Sequence, residues 1–343
     1  MSDKLSWQKI TLLLRNPFRL SYGTSETRQA FWIRLKDDEG WGEGTIPPYY
    51  GVNLDEMMGV WQSAANNPKP FPNDPLEIPA WIGDGPAPAR CGLDIALHDR
   101  IARKLNLPLH KLLNVPFPKP KPSSFTIALD TPKEMARMAE QVKSYPIIKV
   151  KLGGDSHDLE RLAAIREVRP GVKLWVDANG GWSLDEAERY LPELETLGIE
   201  MLEQPLDKAD ITGMGILQSK TKIPIVADES LQSFENLKEI ALAGVQGVNI
   251  KLMKVGGLSP ALKMIRQAKA LDLKVMLGCM IETAIGTTAM AHLMGLGDWL
   301  DLDASALIVN DPFAGMTLDP SCTVQLPQGS GLGVKIRDRA YFY

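Results

Sequence analysis

From Phe125 onward, short apolar and β-branched runs alternate with longer segments of helical pattern. The runs are Phe125–Leu129, Ile147–Lys151, Lys173–Asp177, Met201–Glu203, Ile223–Asp228, Gly247–Lys251, Lys274–Met280 and Trp299–Asp303. Runs this short, bounded by turn residues, read as strands, and strands alternating with helices predict parallel βα units. Eight such units predict a barrel. Helix starts fall in the gaps between runs. Thr131-Pro132-Lys133-Glu134 offers an N-cap threonine with proline at the first helical position, and Ser183-Leu184-Asp185-Glu186 has the form of a capping box.

The first part of the chain has a different texture. Phe31-Trp32-Ile33-Arg34-Leu35 alternates as a strand, Asp37-Asp38-Glu39-Gly40 reads as a turn, and a second strand starts at Trp41. Residues 89–105 read as a helix with Leu93, Ala96, Leu97 and Ile101 on one face. The proline-alternating stretch Pro116 to Pro122 reads as a linker. The expected architecture is α/β: a (β/α)8-type, TIM-like barrel over residues 123–310, with an α+β capping domain over residues 1–115. The tail from about Asp311 is expected to pack back onto that domain.

Each of Lys151, Asp177, Glu203, Asp228 and Lys251 closes, or nearly closes, one run, and they are about 26, 26, 25 and 23 positions apart. A charge at the C-terminal end of a barrel strand sits at the mouth, where such barrels place their chemistry. Three carboxylates on consecutive strands offer all-oxygen ligation with positions left for water or substrate, which suits Mg²⁺, one ion per subunit. Lys149 and Lys151 share one face of a strand. Two ammonium groups so close should relieve repulsion by a lowered pKa and by attracting an anion. Lys149 is therefore read as a clamp for a substrate carboxylate, and Lys151 as a base. Lys251 lies four strands further round, across the mouth. Two lysines facing each other across a metal-bound carboxylate can take an α-proton from one face and return it to the other, as racemisation or epimerisation needs. Asp301 and Asp303 share a face at the eighth strand end. They suit a substrate ammonium, and equally a helix N-cap pair.

Bulk properties narrow the partners. The formal charge of −4 leaves no basic footprint for nucleic acid. No apolar stretch is long enough for a membrane span, and the N-terminus lacks the apolar core of a signal peptide. Cys91, Cys279 and Cys322 fit neither a disulfide framework nor a zinc site, which makes the cytoplasm the default compartment. None of the four histidines ends a barrel run, so a histidine base is not supported.

These motifs resemble, over essentially the whole chain, the enolase superfamily and specifically its muconate-lactonising-enzyme subgroup. Lys149-Val150-Lys151, Asp177-Ala178-Asn179, Glu203-Gln204-Pro205, Ala227-Asp228-Glu229-Ser230 and Lys251-Leu252-Met253-Lys254-Val255-Gly256-Gly257 look like its successive strand motifs. Within the subgroup, Asp301-Leu302-Asp303 resembles the pair that holds the α-ammonium in dipeptide epimerases. Gly278 to Thr283 is similar to their seventh strand, whose backbone, here at Cys279 and Ile281, contacts substrate. Thr126 matches their substrate-contacting threonine. The resemblance implies epimerisation of the C-terminal residue of an L,L-dipeptide. It also implies a mobile loop, about Asn16–Glu26, closing over the barrel, and a role in murein peptide recycling or peptide metabolism. Ala-Glu epimerases tend to carry an arginine in that loop. Here Tyr22-Gly23-Thr24 stands in its place, Arg19 and Arg28 are offset, and Glu26 adds negative charge. That departure argues against a strict Ala-Glu preference and leaves room for a hydrophobic or cationic second residue. The alternatives are an o-succinylbenzoate synthase or muconate-type cycloisomerase, an N-acylamino acid racemase, and a non-catalytic barrel that kept its metal. Whether the chain forms a homo-oligomer is left open.

Overall fold

A computed structural model describes residues 4–20, 23–45, 51–116 and 119–337. Strands β1 (Leu5–Leu20), β2 (Gly23–Leu35) and β3 (Trp41–Thr45) form an antiparallel sheet, followed by helices α1 (Leu54–Asn66), α2 (Ile78–Ile82), α3 (Ala87–Lys104) and α4 (Leu109–Leu112). The turn between β2 and β3 places Asp37 and Asp38 in the left-handed region, with φ of 57° and 58°. Helix α3 is buried on nearly every side. β3 crosses it so closely that a Cβ on Gly42 would lie 1.8 Å from the Gly92 carbonyl oxygen, so only glycine permits this approach.

The eight runs form one parallel sheet in sequence order. Its strands are β4 (Phe125–Ile127), β5 (Ile147–Lys151), β6 (Lys173–Asp177), β7 (Ile199–Glu203), β8 (Ile225–Ala227), β9 (Gly247–Ile250), β10 (Lys274–Gly278) and β11 (Trp299–Asp301). Helices separate successive strands: α5 (Pro132–Gln141), α6 (Asp158–Val168), α7 (Leu184–Thr196), α8 (Ile211–Ser219), α9 (Phe234–Ala243), α10 (Leu252–Val255), α11 (Leu258–Ala270) and α12 (Ala284–Ala291), with α13 (Ala304–Leu307) after β11. The expected caps are present. Thr131 Oγ1 accepts from Glu134 N, and Ser183 and Glu186 complete a capping box.

Strand alternation sorts the side chains. Ile148, Val150, Leu174, Val176, Leu202, Ile250 and Leu277 belong to the main core with the surrounding helices. Ile147, Trp175, Met201, Val226 and Met276 form a separate apolar cluster that fills the lower interior of the barrel. One or two steps further along the same face of β5 to β8 come Lys149, Lys151, Asp177, Glu203 and Asp228. The interior is therefore a dry plug below and a charged layer above.

The sheet is nearly a closed barrel. Between β11 and β4 the contact is mostly made by side chains. Ser124 N donates to Leu300 O (3.1 Å), Leu302 N to Ser123 Oγ (2.8 Å), and Thr126 N to Asp303 Oδ2 (2.7 Å).

Carboxylates from the first segment cap barrel helices. α11 begins after Gly257, which has no side chain to cap with, and Asp94 Oδ1 accepts from Leu258 N at 2.6 Å instead. Glu43 accepts from Thr283 N (2.9 Å), Thr283 Oγ1 (2.6 Å) and Gly286 N (3.1 Å) at the start of α12. The tail returns past α3. Leu332 N donates to Asp99 Oδ1 (2.8 Å), and Phe313 meets Trp41 edge-on at 5.4 Å. Among the described residues no helix is long and apolar enough to cross a membrane.

Candidate active site

Alternation on β5 turns Lys149 and Lys151 inward, and both are buried among carboxylates. Lys149 Nζ lies 3.0 Å from Asp177 Oδ2, 2.7 Å from Glu203 Oε2 and 2.8 Å from Asp301 Oδ2. Lys151 Nζ donates to Asp177 Oδ2 at 2.5 Å. Across the mouth, Lys251 Nζ donates to Asp228 Oδ2 at 2.7 Å. β5 and β9 stand four strands apart in a sheet of eight, so the two lysines approach the carboxylate cluster from opposite sides. The five-charge ladder thus converges on one place.

The electrostatics follow from this crowding. Burial raises the cost of charge on Lys149, but Asp301, Glu203 and Asp177 outweigh it and hold its pKa well above the ordinary lysine value. For Lys149 this corrects the expectation of a lowered pKa: the carboxylates around it outweigh both burial and the nearby Lys251 cation. Asp177 is held down to about 2, where Lys151 and Lys149 overcome its burial. Asp228 is depressed against burial by Lys251 and Lys254. Glu203 is pushed up to about 8 by burial and by Asp177.

Oxygens from three consecutive strands meet here, and they are hard donors. Glu203 Oε2, though in ionic contact with Lys149, has no aligned hydrogen-bond partner. Among the described residues no three acidic, histidine or cysteine side chains already form a metal cage. The lysine ammonium groups stand between the carboxylates instead, so Asp177 and Glu203 already converge on one cationic point. The donor set fits a hard divalent cation once Lys149 moves toward an anion.

Asp301 and Asp303 differ in state. Asp301 accepts from Ser124 Oγ (2.6 Å) and Lys149 (2.8 Å), and Lys149 and Ser124 hold its pKa down against burial. Asp303 accepts from Thr126 N, and burial with Asp301 beside it pushes its pKa up to about 6. Thr126 therefore anchors Asp303. Cys279 N donates to Asp301 O (3.1 Å). Ile281 lies in an apolar cluster with Ile10, Leu12, Ala30 and Ile308.

The specificity loop is not a loop where it is described. Leu20 pairs with Gly23, Arg19 with Thr24 and Phe18 with Ser25, so Gly23 and Thr24 end a strand ladder and Glu26 lies within it. A bulge between Leu13 and Phe18 accommodates Pro17, which cannot donate to a ladder. Gly23, Thr24 and Glu26 are exposed, and Tyr22 lies outside the described residues. The hairpin end is tied to the barrel by Leu129 N donating to Arg19 O (3.1 Å) and by an Arg19–Asp130 ion pair.

Several groups around the ladder went unread in the sequence. Lys254 Nζ donates to Asp228 Oδ1 (2.5 Å) and to Asn249 O (2.9 Å). Asn249 Nδ2 donates to Glu203 Oε1 (2.8 Å), and Asn179 Nδ2 to Glu229 Oε1 (3.0 Å). Asn249 lies two residues before Lys251, so strand alternation already placed it inward.

The enolase C-terminal domain-like family model matches residues 133–340. An L-Ala-D/L-amino acid epimerase of Maribacter sp. is 33% identical over 343 residues, covering 97% of this chain and 99% of its own length. A dipeptide epimerase from Enterococcus faecalis, complexed with Mg and the dipeptide L-Leu-L-Tyr, superposes with a TM-score of 0.89 at 29% identity, covering 98% of this chain and 100% of that one. A substrate-liganded L-Ala-D/L-Glu epimerase from Bacillus subtilis gives a TM-score of 0.88 at 30% identity, covering 96% and 98%.

Proposed function

Because the chain belongs to the enolase superfamily, through its enolase C-terminal domain-like family, we propose that it is a Mg²⁺-dependent dipeptide epimerase, an isomerase that inverts the α-carbon of the C-terminal residue of an L,L-dipeptide. The observation that carries this reading is the approach of Lys151 and Lys251 from opposite sides to one carboxylate cluster, with Asp301 and Asp303 beside it.

Asp177, Glu203 and Asp228 would hold the ion. When bound, it supplies positive charge that lowers the cost of an enediolate on the substrate carboxylate. Lys149 contacts Asp177, Glu203 and Asp301 together, and it turns to the substrate carboxylate. Lys151 and Lys251 then leave their carboxylates and face the α-carbon from two sides, one removing the proton and the other returning one to the opposite face. Asp303, anchored by Thr126, pairs with the dipeptide's α-ammonium next to Asp301.

The second side chain would lie under the β1–β2 hairpin. Arg19 is already paired with Asp130 there, while Leu14 and Phe18 add apolar surface and Glu26 a carboxylate. A hydrophobic or cationic second residue fits these groups better than an acidic one. Three free cysteines suit a reducing, cytoplasmic setting.

Incubation with Mg²⁺ and pooled L,L-dipeptides in D₂O tests the reading. Substrates gain one mass unit at the C-terminal residue, and the labelled set identifies the preferred side chains. Absence of exchange in every dipeptide would overturn it.

A further inference from the structure

We propose that Asn249 is a positioning residue for Glu203, and that position 278 must be glycine to leave it room. The inference rests on the reading of Glu203 as a metal ligand. Asn249 is fully buried and stands on β9, inside the barrel, two residues before Lys251. Its Nδ2 donates to Glu203 Oε1 at 2.8 Å. That bond occupies one carboxylate oxygen and leaves Oε2, which has no hydrogen-bond partner, turned toward the cation position now taken by Lys149. Without the amide, the Glu203 carboxyl is free to rotate, and Oε2 loses its fixed direction.

Asn249 also acts through its backbone. Its carbonyl accepts from Lys254 Nζ at 2.9 Å, and Lys254 holds Asp228 Oδ1 at 2.5 Å. One residue thus braces two of the three carboxylates.

The amide oxygen explains the glycine. Asn249 Oδ1 is buried without a hydrogen-bond partner, and a Cβ on Gly278 would lie 2.5 Å from it and 2.9 Å from Nδ2. Gly278 has no positive φ to require glycine. The requirement is space: any side chain there pushes the amide off Glu203.

The test is Mn²⁺ binding followed by electron paramagnetic resonance, with no substrate present. Asn249→Ala should weaken Mn²⁺ binding by about 10- to 100-fold, and Gly278→Ala by a similar factor. In the double variant the space left by the missing amide accepts the new methyl, so the two losses should not multiply. Cooperative urea unfolding of each variant establishes that it is folded. If Asn249→Ala binds Mn²⁺ within twofold of the parent, or if the two losses multiply, the proposal is wrong. If the parent chain itself binds no Mn²⁺ at millimolar concentration, the metal reading fails instead.

Discussion

Replacing Asp303 with asparagine separates substrate recognition from barrel closure. An asparagine oxygen can still accept from Thr126 N, the 2.7 Å bond that Asp303 Oδ2 now makes, so the strand contact is retained while the charge is lost. A hydrogen bond to a charged group is worth about 1.5–3 kcal/mol. At about 1.4 kcal/mol per tenfold, Asp303→Asn should lower kcat/KM for a free dipeptide by about 10- to 150-fold. An N-acetylated dipeptide has no ammonium to lose, so its exchange rate should be nearly unaffected. The pH profile gives a second reading. Asp303 sits at about 6 in the free protein because of burial and Asp301. It is charged, and able to hold an ammonium, only above that value. The parent's kcat/KM should rise with pH through about 6, and that limb should be absent in Asp303→Asn. The assay is deuterium uptake by mass spectrometry on paired free and acetylated dipeptides between pH 5 and 8. Equal losses on both substrates, or less than a threefold loss on the free one, would refute the ammonium assignment and favour an N-acyl racemase or a lyase.

Two further outcomes are expected. Lys151→Ala and Lys251→Ala should each lose epimerisation by about 10²-fold or more, yet each should exchange the α-proton of one configuration, and not the same one. Chiral chromatography of the deuterated products decides this, and exchange of the same configuration by both variants would rule out a two-base mechanism. Asp311 accepts from Ala284 N (2.8 Å) and Phe313 N (2.9 Å), and burial pushes its pKa up to about 6. Between the unfolded value near 4 and about 6, the folded chain keeps a proton that the unfolded chain releases, so this group favours folding at low pH and loses that contribution as pH rises. The unfolding free energy of the parent minus that of Asp311→Asn should therefore grow by about 1.4 kcal/mol from pH 8 to pH 5. A flat difference in urea unfolding would show that Asp311 is not perturbed.

The barrel was legible because its period is local. Ile147–Lys151 and Lys173–Asp177 are strands with the boundaries read from the sequence, and the charge that ends each of them points inward by simple alternation. Thr131 and Ser183 announced their helices for equally local reasons. What stayed hidden depends on distant partners. Nothing near Lys149 indicates that Asp301, 152 positions away, will help keep it charged. Nothing near Gly257 indicates that Asp94 will cap the helix it begins. The form of the hairpin was equally hidden: the segment whose resemblance implied a mobile loop pairs, where it is described, as a bulged ladder and packs through Leu14, Phe18 and Ile308.

The seam between β4 and β11 has a consequence for how this fold can diverge. An open sheet edge invites pairing with foreign strands, and proteins suppress that hazard. Here the suppression falls partly to Ser123 Oγ and the Asp303 carboxylate, which accept amides that a neighbouring strand would otherwise satisfy. Changes of substrate preference at position 303 therefore also bear on folding. Replacements that keep an acceptor oxygen hold the seam, whereas apolar ones leave the buried Thr126 amide without its acceptor. The routes open to new specificity at this position are narrowed by barrel closure before they are narrowed by ligand chemistry.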